Sequence, residues 1–164
     1  MFSEEPHMMK INFISGMSCV GKSFYINQYK ADNDIVIDLF KFQQEHGDYV
    51  TAEYLFYSQI ERTLHRVKDC TVWIEVPFYK HYRRKAVISF FKTIAKGFGT
   101  DVEWNLTYVH ASKERYAENI KLRFPDRSNN DGLTYYKNRL DEVEVPTLDE
   151  KVDGWDNINI ISFK

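Results

Sequence analysis

Gly16-Met17-Ser18-Cys19-Val20-Gly21-Lys22-Ser23 fits the pattern G-x-x-x-x-G-K-[ST] at every fixed position. A loop of this kind wraps backbone N–H groups around the phosphates of a nucleoside triphosphate. Its lysine reaches the β- and γ-phosphates and its serine hydroxyl ligates Mg²⁺. The flanks supply the context that such a loop requires. Lys10-Ile11-Asn12-Phe13-Ile14 is a short apolar run suited to a buried strand, and Ser23 to Tyr29 can continue as a helix. A helix that opens at the loop adds positive field and free N–H donors where the phosphates sit. A chance Gly-rich turn would not carry both flanks.

Working outward, the chain alternates strands and helices with no repeat or low-complexity tract. The first strand is expected at about Lys10–Ser15 and a helix at about Gly21–Tyr29. Ile35-Val36-Ile37 is a second short strand, ended by Asp38. From Tyr49 to Lys68 apolar residues recur near the helical period, at Tyr54, Leu55, Ile60, Leu64 and Val67. Thr71-Val72-Trp73-Ile74 is a β-branched and aromatic third strand, running into Glu75-Val76-Pro77. A helix over Tyr82–Lys96 should stop at Gly97, with Gly99 close behind. Val102–Val109 reads as the fourth strand. Ser112–Phe124 is a helix with Ser112 as its cap, ended or bent by Pro125. Asp126 to Gly132 is polar and loop-like, Leu133–Val143 is suited to another helix, and Asn157–Ser162 is the last strand. Strands alternating with helices predict an α/β fold. It would be three layers, α/β/α, around a mostly parallel five-stranded sheet, with a ligand at the carboxyl ends of the strands.

Composition is consistent with that reading. The 164 residues suit one domain over 1–164, with 1–9 a loose lead-in and about 112–132 a lid region. With 43% hydrophobic residues the chain is not disordered. Lys plus Arg total 22 against 24 for Asp plus Glu, so no bulk basic charge points to nucleic acid, although a local basic patch stays open. The 16% aromatic share fits base-stacking platforms or, more simply, a core rich in Phe and Tyr. Cys19 and Cys70 have neither metal nor disulfide spacing, so a reducing cytoplasm is expected. No apolar stretch approaches a membrane span, and Met1 to Lys10 does not read as a signal peptide.

The expected sheet brings the phosphate loop, Asp38, Glu75 and the helix bearing Arg115 and Arg123 to one crevice. Asp38 could accept the proton of a hydroxyl attacking the γ-phosphate, or cap a helix or turn. Glu75 could hold Mg²⁺ or its water, cap the next helix, or pair with Arg83 or Arg84. Arg83 and Arg84 could grip an acceptor phosphate through forked hydrogen bonds, or form a solvated helix face. Arg123 and Arg127 flank Pro125 in a polar segment. They could close over the triphosphate and neutralise charge on the transferred group, or merely end a charged helix. Arg115 is a weaker candidate. Cys19 reads as a small residue tolerated in the loop, and the histidines show no ligand spacing.

These residues resemble the phosphate-loop kinases of the nucleoside and nucleotide kinase group, most of all the kinase domain of phage-type polynucleotide 5′-hydroxyl kinases. The resemblance spans roughly Lys10 to Leu140. It implies ATP and Mg²⁺ held by Gly16 to Ser23, Asp38 as the residue that activates the acceptor hydroxyl, and Arg123 and Arg127 as lid arginines. It also implies a sheet in which strand one lies between strands three and four. Three features depart from the family. Glu75 stands where aspartate is usual, Met17-Ser18-Cys19-Val20 replaces a Pro-Gly-Ser-type filling, and Phe40 to Tyr57 is aromatic and acidic rather than a basic strand channel.

The leading expectation is therefore an ATP-dependent kinase. Its acceptor would be a hydroxyl of a nucleic acid or nucleotide, either a polynucleotide 5′-hydroxyl or a hydroxymethylated DNA base. The alternative is a nucleoside or nucleoside monophosphate kinase with a closed aromatic pocket near Tyr49, Tyr54, Phe56 and Tyr57. A nucleotide-dependent switch fits less well, because no Asn-Lys-x-Asp segment is present.

Overall fold

The computed structural model describes residues 8–66, 69–125, 134 and 137–164. Its centre is β1 (Met9–Ser15), in which Met9, Ile11, Phe13, Ile14 and Ser15 are all buried. Met9, Ile11 and Phe13 alternate onto one face and Ile14 is buried on the other, because helices cover both faces of a parallel sheet. β2 (Ile35–Asp38), β3 (Thr71–Val76), β4 (Val102–Ala111) and β5 (Asn157–Phe163) complete a five-stranded sheet in the order β2-β3-β1-β4-β5, parallel throughout. β1 thus lies between β3 and β4. Met9, assigned to the lead-in by its sequence, belongs to β1 and is 1% exposed.

Helices α1 (Lys22–Tyr29), α2 (Leu39–His46), α3 (Tyr49–Arg66), α4 (His81–Phe98) and α5 (Lys113–Arg123) connect the strands. Two apolar clusters define the layers. On one face α3 contributes Phe56, Ile60 and Leu64, and α4 contributes Ile88 and Phe91. These pack on Ile11, Phe13, Ile74 and Trp155. On the other face Ile26 of α1 and Tyr116 and Ile120 of α5 pack on Ile14, Trp73 and Val109. Burying each such large apolar side chain stabilises the fold by about 1.5–3 kcal/mol.

Three elements differ from the sequence reading. α2 was not expected. Asp38 opens it, accepting a hydrogen bond from the Phe40 N–H at 2.9 Å, and Gly47 closes it in the left-handed region at φ 66°. α4 runs through Gly97 and ends at Gly99, whose φ of 66° lets its N–H reach back to the last turn. A 3₁₀ turn, Leu148–Asp153, precedes β5. Of the expected helix over Leu133–Val143, residue 134 and residues 137–140 are helical among those described. Ser112 caps α5 as expected, accepting from the Arg115 N–H at 3.2 Å. No described helix is long and apolar enough to cross a membrane.

Candidate active site

The phosphate loop leaves β1 at Ser15 and enters α1 at Lys22, and its two glycines are dictated by crowding. Gly16 has φ +147°, and a Cβ there would lie 2.4 Å from the carbonyl oxygen of Val109 on β4. Gly21 has φ +107°, and a Cβ there would lie 2.9 Å from the Phe163 ring at the end of β5. Left-handed backbone in so tight a space admits only glycine. Met17 and Val20 are buried in the cluster of α1 and α5, which explains why the loop is not filled with Pro, Gly and Ser. These two residues therefore have only their backbone to offer a ligand. Ser18 is exposed, and Cys19 sits in the left-handed region at φ 62°.

The loop borders a cavity of about 580 Å³ at the carboxyl edge of the sheet, within the range of small-molecule sites. Ser18, Cys19, Gly21, Lys22 and Ser23 line it, together with Asp38, Glu75, Arg115 and Arg123. The topology accounts for this convergence. In parallel strands the carboxyl ends share one edge, and Asp38 and Glu75 are direct register partners on β2 and β3.

Lys22 is 7% exposed and donates to the carbonyls of Gly16 at 2.6 Å and Met17 at 3.1 Å. Burial lowers its ammonium from the usual 10.5 to about 8, with Glu75 and Asp38 opposing that shift. Burial likewise raises the Glu75 carboxyl above its ordinary range. The neighbouring Asp38 adds to this, while Lys22 and the Ser23 hydroxyl act against it. Ser23 Oγ lies 3.0 and 2.9 Å from the two Glu75 oxygens, to which it donates. A serine hydroxyl joined to a partly buried carboxylate, with a second carboxylate in register beside it, is a hard oxygen set that fits Mg²⁺. Glu75, read from the sequence as a candidate metal-shell acid, reaches Ser23 directly.

Asp38 is both cap and cavity wall. Oδ1 is held by the Phe40 N–H, and Oδ2 has no hydrogen-bond partner among the described residues. Arg123, in the last turn of α5, lies over the Phe40 ring at 4.3 Å, with Nη1 3.8 Å from the Cys19 sulfur. Arg127 lies outside the described residues.

Arg83 and Arg84 do not join the cavity. Arg83 pairs with Glu53 at 2.8 Å and covers the Phe78 ring at 4.7 Å. Arg84 is 1% exposed and makes a forked pair with Glu150, at 3.0 Å from Nε and 2.9 Å from Nη2. It also donates to the carbonyls of Phe78 and Glu144. Its donors are spent inside the protein, so the phosphate-gripping role expected for it is corrected to a structural one. The aromatic residues expected as a pocket wall are elsewhere too. Phe56 is core, and Tyr57 packs on Phe91 and bonds to Glu53.

Several cavity residues escaped the sequence reading. Asn119 donates to the Cys19 carbonyl at 2.9 Å and so ties α5 to the phosphate loop. Arg115, Asn119 and Arg123 recur every four residues, a spacing that places them on one face of α5 and that could have been read from sequence. Phe40 and Gln43 enter through α2, and Phe24 and Phe163 meet edge to face at 5.9 Å beside the loop.

No protein-family model matches this chain, and no curated protein sequence matches it. Solved structures do. A protein from Chloroflexus aurantiacus provisionally assigned as a kinase is similar with a TM-score of 0.65 and 13% identity, over 94% of this chain and 88% of that one. A gluconokinase from Sinorhizobium meliloti gives 0.56 and 16%, over 96% and 82%. A chain of the Pnkp1/Rnl/Hen1 RNA repair complex gives 0.56 and 13%, over 87% of this chain and 50% of that one. At such identities the likeness establishes the fold alone, a three-layer α/β/α arrangement around a parallel sheet.

Proposed function

We propose that this chain is an ATP-dependent kinase that transfers the γ-phosphate to a hydroxyl of a nucleic acid or nucleotide-type acceptor. The observation that carries the reading is Asp38. One of its oxygens is fixed by a backbone N–H and the other is left for a ligand, in the same cavity as Lys22 and Ser23. A carboxylate held this way can take the acceptor proton as the hydroxyl oxygen bonds to the γ-phosphorus. The bond from that phosphorus to the oxygen bridging the β-phosphate breaks, and ADP leaves. Lys22 and the loop N–H groups hold the triphosphate, and Arg123 offsets charge on the transferred group. Ser23 and Glu75 would hold Mg²⁺, which when bound would neutralise phosphate charge. Arg127 is proposed as a second lid arginine by its spacing from Arg123.

A hydroxyl acceptor is favoured over a monophosphate because Arg83 and Arg84 are engaged elsewhere. Among the described residues the cavity cations are Lys22, Arg115 and Arg123. The finer possibilities are a polynucleotide 5′-hydroxyl and a hydroxymethylated DNA base. The test is transfer from γ-labelled ATP with Mg²⁺ to a panel of acceptors: 5′-hydroxyl DNA and RNA, DNA with hydroxymethylated bases, nucleosides, and nucleoside monophosphates. Label on a polymer, located at its end or on a base, supports the nucleic-acid reading. Label only on monophosphates replaces it with the nucleotide kinase reading. Slow phosphate release with no labelled acceptor makes the chain a switch.

A further inference from the structure

Resting on the hydroxyl-kinase reading of the same cavity, we propose that Phe40 is a stacking platform for a planar heteroaromatic ring on the acceptor, and that Arg123 covers this platform until the triphosphate arrives. The acceptor class is then a hydroxyl carried by a nucleobase or by the sugar attached to one, rather than a polyol or sugar acid.

Phe40 is 41% exposed and lines the cavity, whereas its neighbour Leu39 is 1% exposed and packed in the core. The Phe40 backbone N–H is the group that holds Asp38 Oδ1, so platform and candidate base are fixed to one helix cap. A ring resting on Phe40 therefore presents its own substituents near the open Asp38 oxygen. The slot already holds a flat cation, the Arg123 guanidinium 4.3 Å from the ring centre. Arg123 pairs with no carboxylate among the described residues, and its contact to the phosphate loop is the weak one to Cys19 sulfur at 3.8 Å. A triphosphate in that loop gives the guanidinium an anionic partner within a short swing and uncovers the ring. Gln43, one turn along α2, also lines the cavity, and its side-chain amide has no hydrogen-bond partner among the described residues. That amide offers both a donor and an acceptor to a base edge. Arg83 and Arg84 are bonded to Glu53 and Glu150, so neither is offered to an acceptor carboxylate or phosphate.

The experiment is calorimetric binding of a nucleoside, of its sugar alone, and of a 5′-hydroxyl oligonucleotide with a normal or an abasic first residue. Each is titrated with and without Mg²⁺ and a non-hydrolysable ATP analogue, into wild type, Phe40→Leu, Phe40→Trp and Arg123→Ala. Ring-bearing ligands should bind more tightly with the analogue present, and Phe40→Leu should weaken them by about 5- to 150-fold, the usual span for loss of one base–aromatic stack. Phe40→Trp should retain binding, and Arg123→Ala should remove the dependence on the analogue. Equal affinity for ring-bearing and ringless ligands, no binding of either, or an unchanged Phe40→Leu overturns the proposal. Ring-dependent binding without transfer of label to any acceptor leaves this inference standing and ends the kinase reading. Transfer that ignores the ring does the reverse.

Discussion

Raising the pH from 7 to 9 should weaken binding of Mg-ATP about tenfold, because the loop lysine loses its charge in that interval. Burial holds free Lys22 at about 8, and a bound triphosphate would favour the protonated form. If only the protonated form binds, affinity falls by (1 + 10)/(1 + 0.1), which is about tenfold. Binding at pH 9 must then take up about 0.9 proton, against about 0.1 at pH 7. Calorimetry in two buffers of different ionisation enthalpy measures both the affinity and the proton count. An affinity that is flat from pH 7 to 9 with no proton uptake would refute the argument that this lysine is desolvated before ligand arrives. The same group acts on stability with the opposite trend. Its folded value lies below its unfolded value of about 10.5, so between 8 and 10.5 the unfolded chain holds more protons and stability rises with pH. From pH 7 to 9.5 wild type should gain about 2 kcal/mol relative to Lys22→Met, read from urea unfolding. No differential gain would place Lys22 in water.

Other substitutions separate the roles of the remaining residues. Asp38→Asn keeps a good helix cap, so melting should hardly move while turnover falls about 10²- to 10⁴-fold with ATP affinity nearly unchanged. Parallel loss of turnover and affinity would make Asp38 a binding residue. Glu75→Gln should raise the Mg²⁺ needed for half-maximal activity by about 10- to 100-fold, measured by metal titration, and an unchanged requirement would move the metal elsewhere. Arg84→Met strands a buried Glu150 and should cost about 3–5 kcal/mol in urea unfolding, whereas a loss under 1 kcal/mol would mean that water reaches the pair.

The parts of the fold legible in sequence were those written by local pattern. The phosphate loop, the apolar strands and the Ser112 cap each depend on neighbours within a few residues. Asp38 shows how far local reading goes. Its position after a strand offered a base or a cap, and the structure shows the cap, with Gly47 as the left-handed stop of the same helix; the base role is the one proposed above. Arg83 and Arg84 show what could not be read. Nothing in a helix-initial Arg-Arg distinguishes a free phosphate grip from an ion pair whose acid lies 66 residues away. Phe40 was likewise hidden, since exposure at a cavity wall depends on α2 being a helix at all.

The pairing of Asp38 with Glu75 across β2 and β3 makes chain length at that edge matter more than residue identity. Their relation is set by the backbone ladder, and a strand moved by one residue turns every side chain to the opposite face. Removing one residue between Ile35 and Asp38 would carry the carboxylate away from Glu75, although every functional residue would still be present in the chain. Conservative replacements in β2 should be tolerated, whereas single-residue insertions and deletions there should not. Natural length variation in proteins built on this plan should therefore collect outside β2, in the turns that precede and follow it.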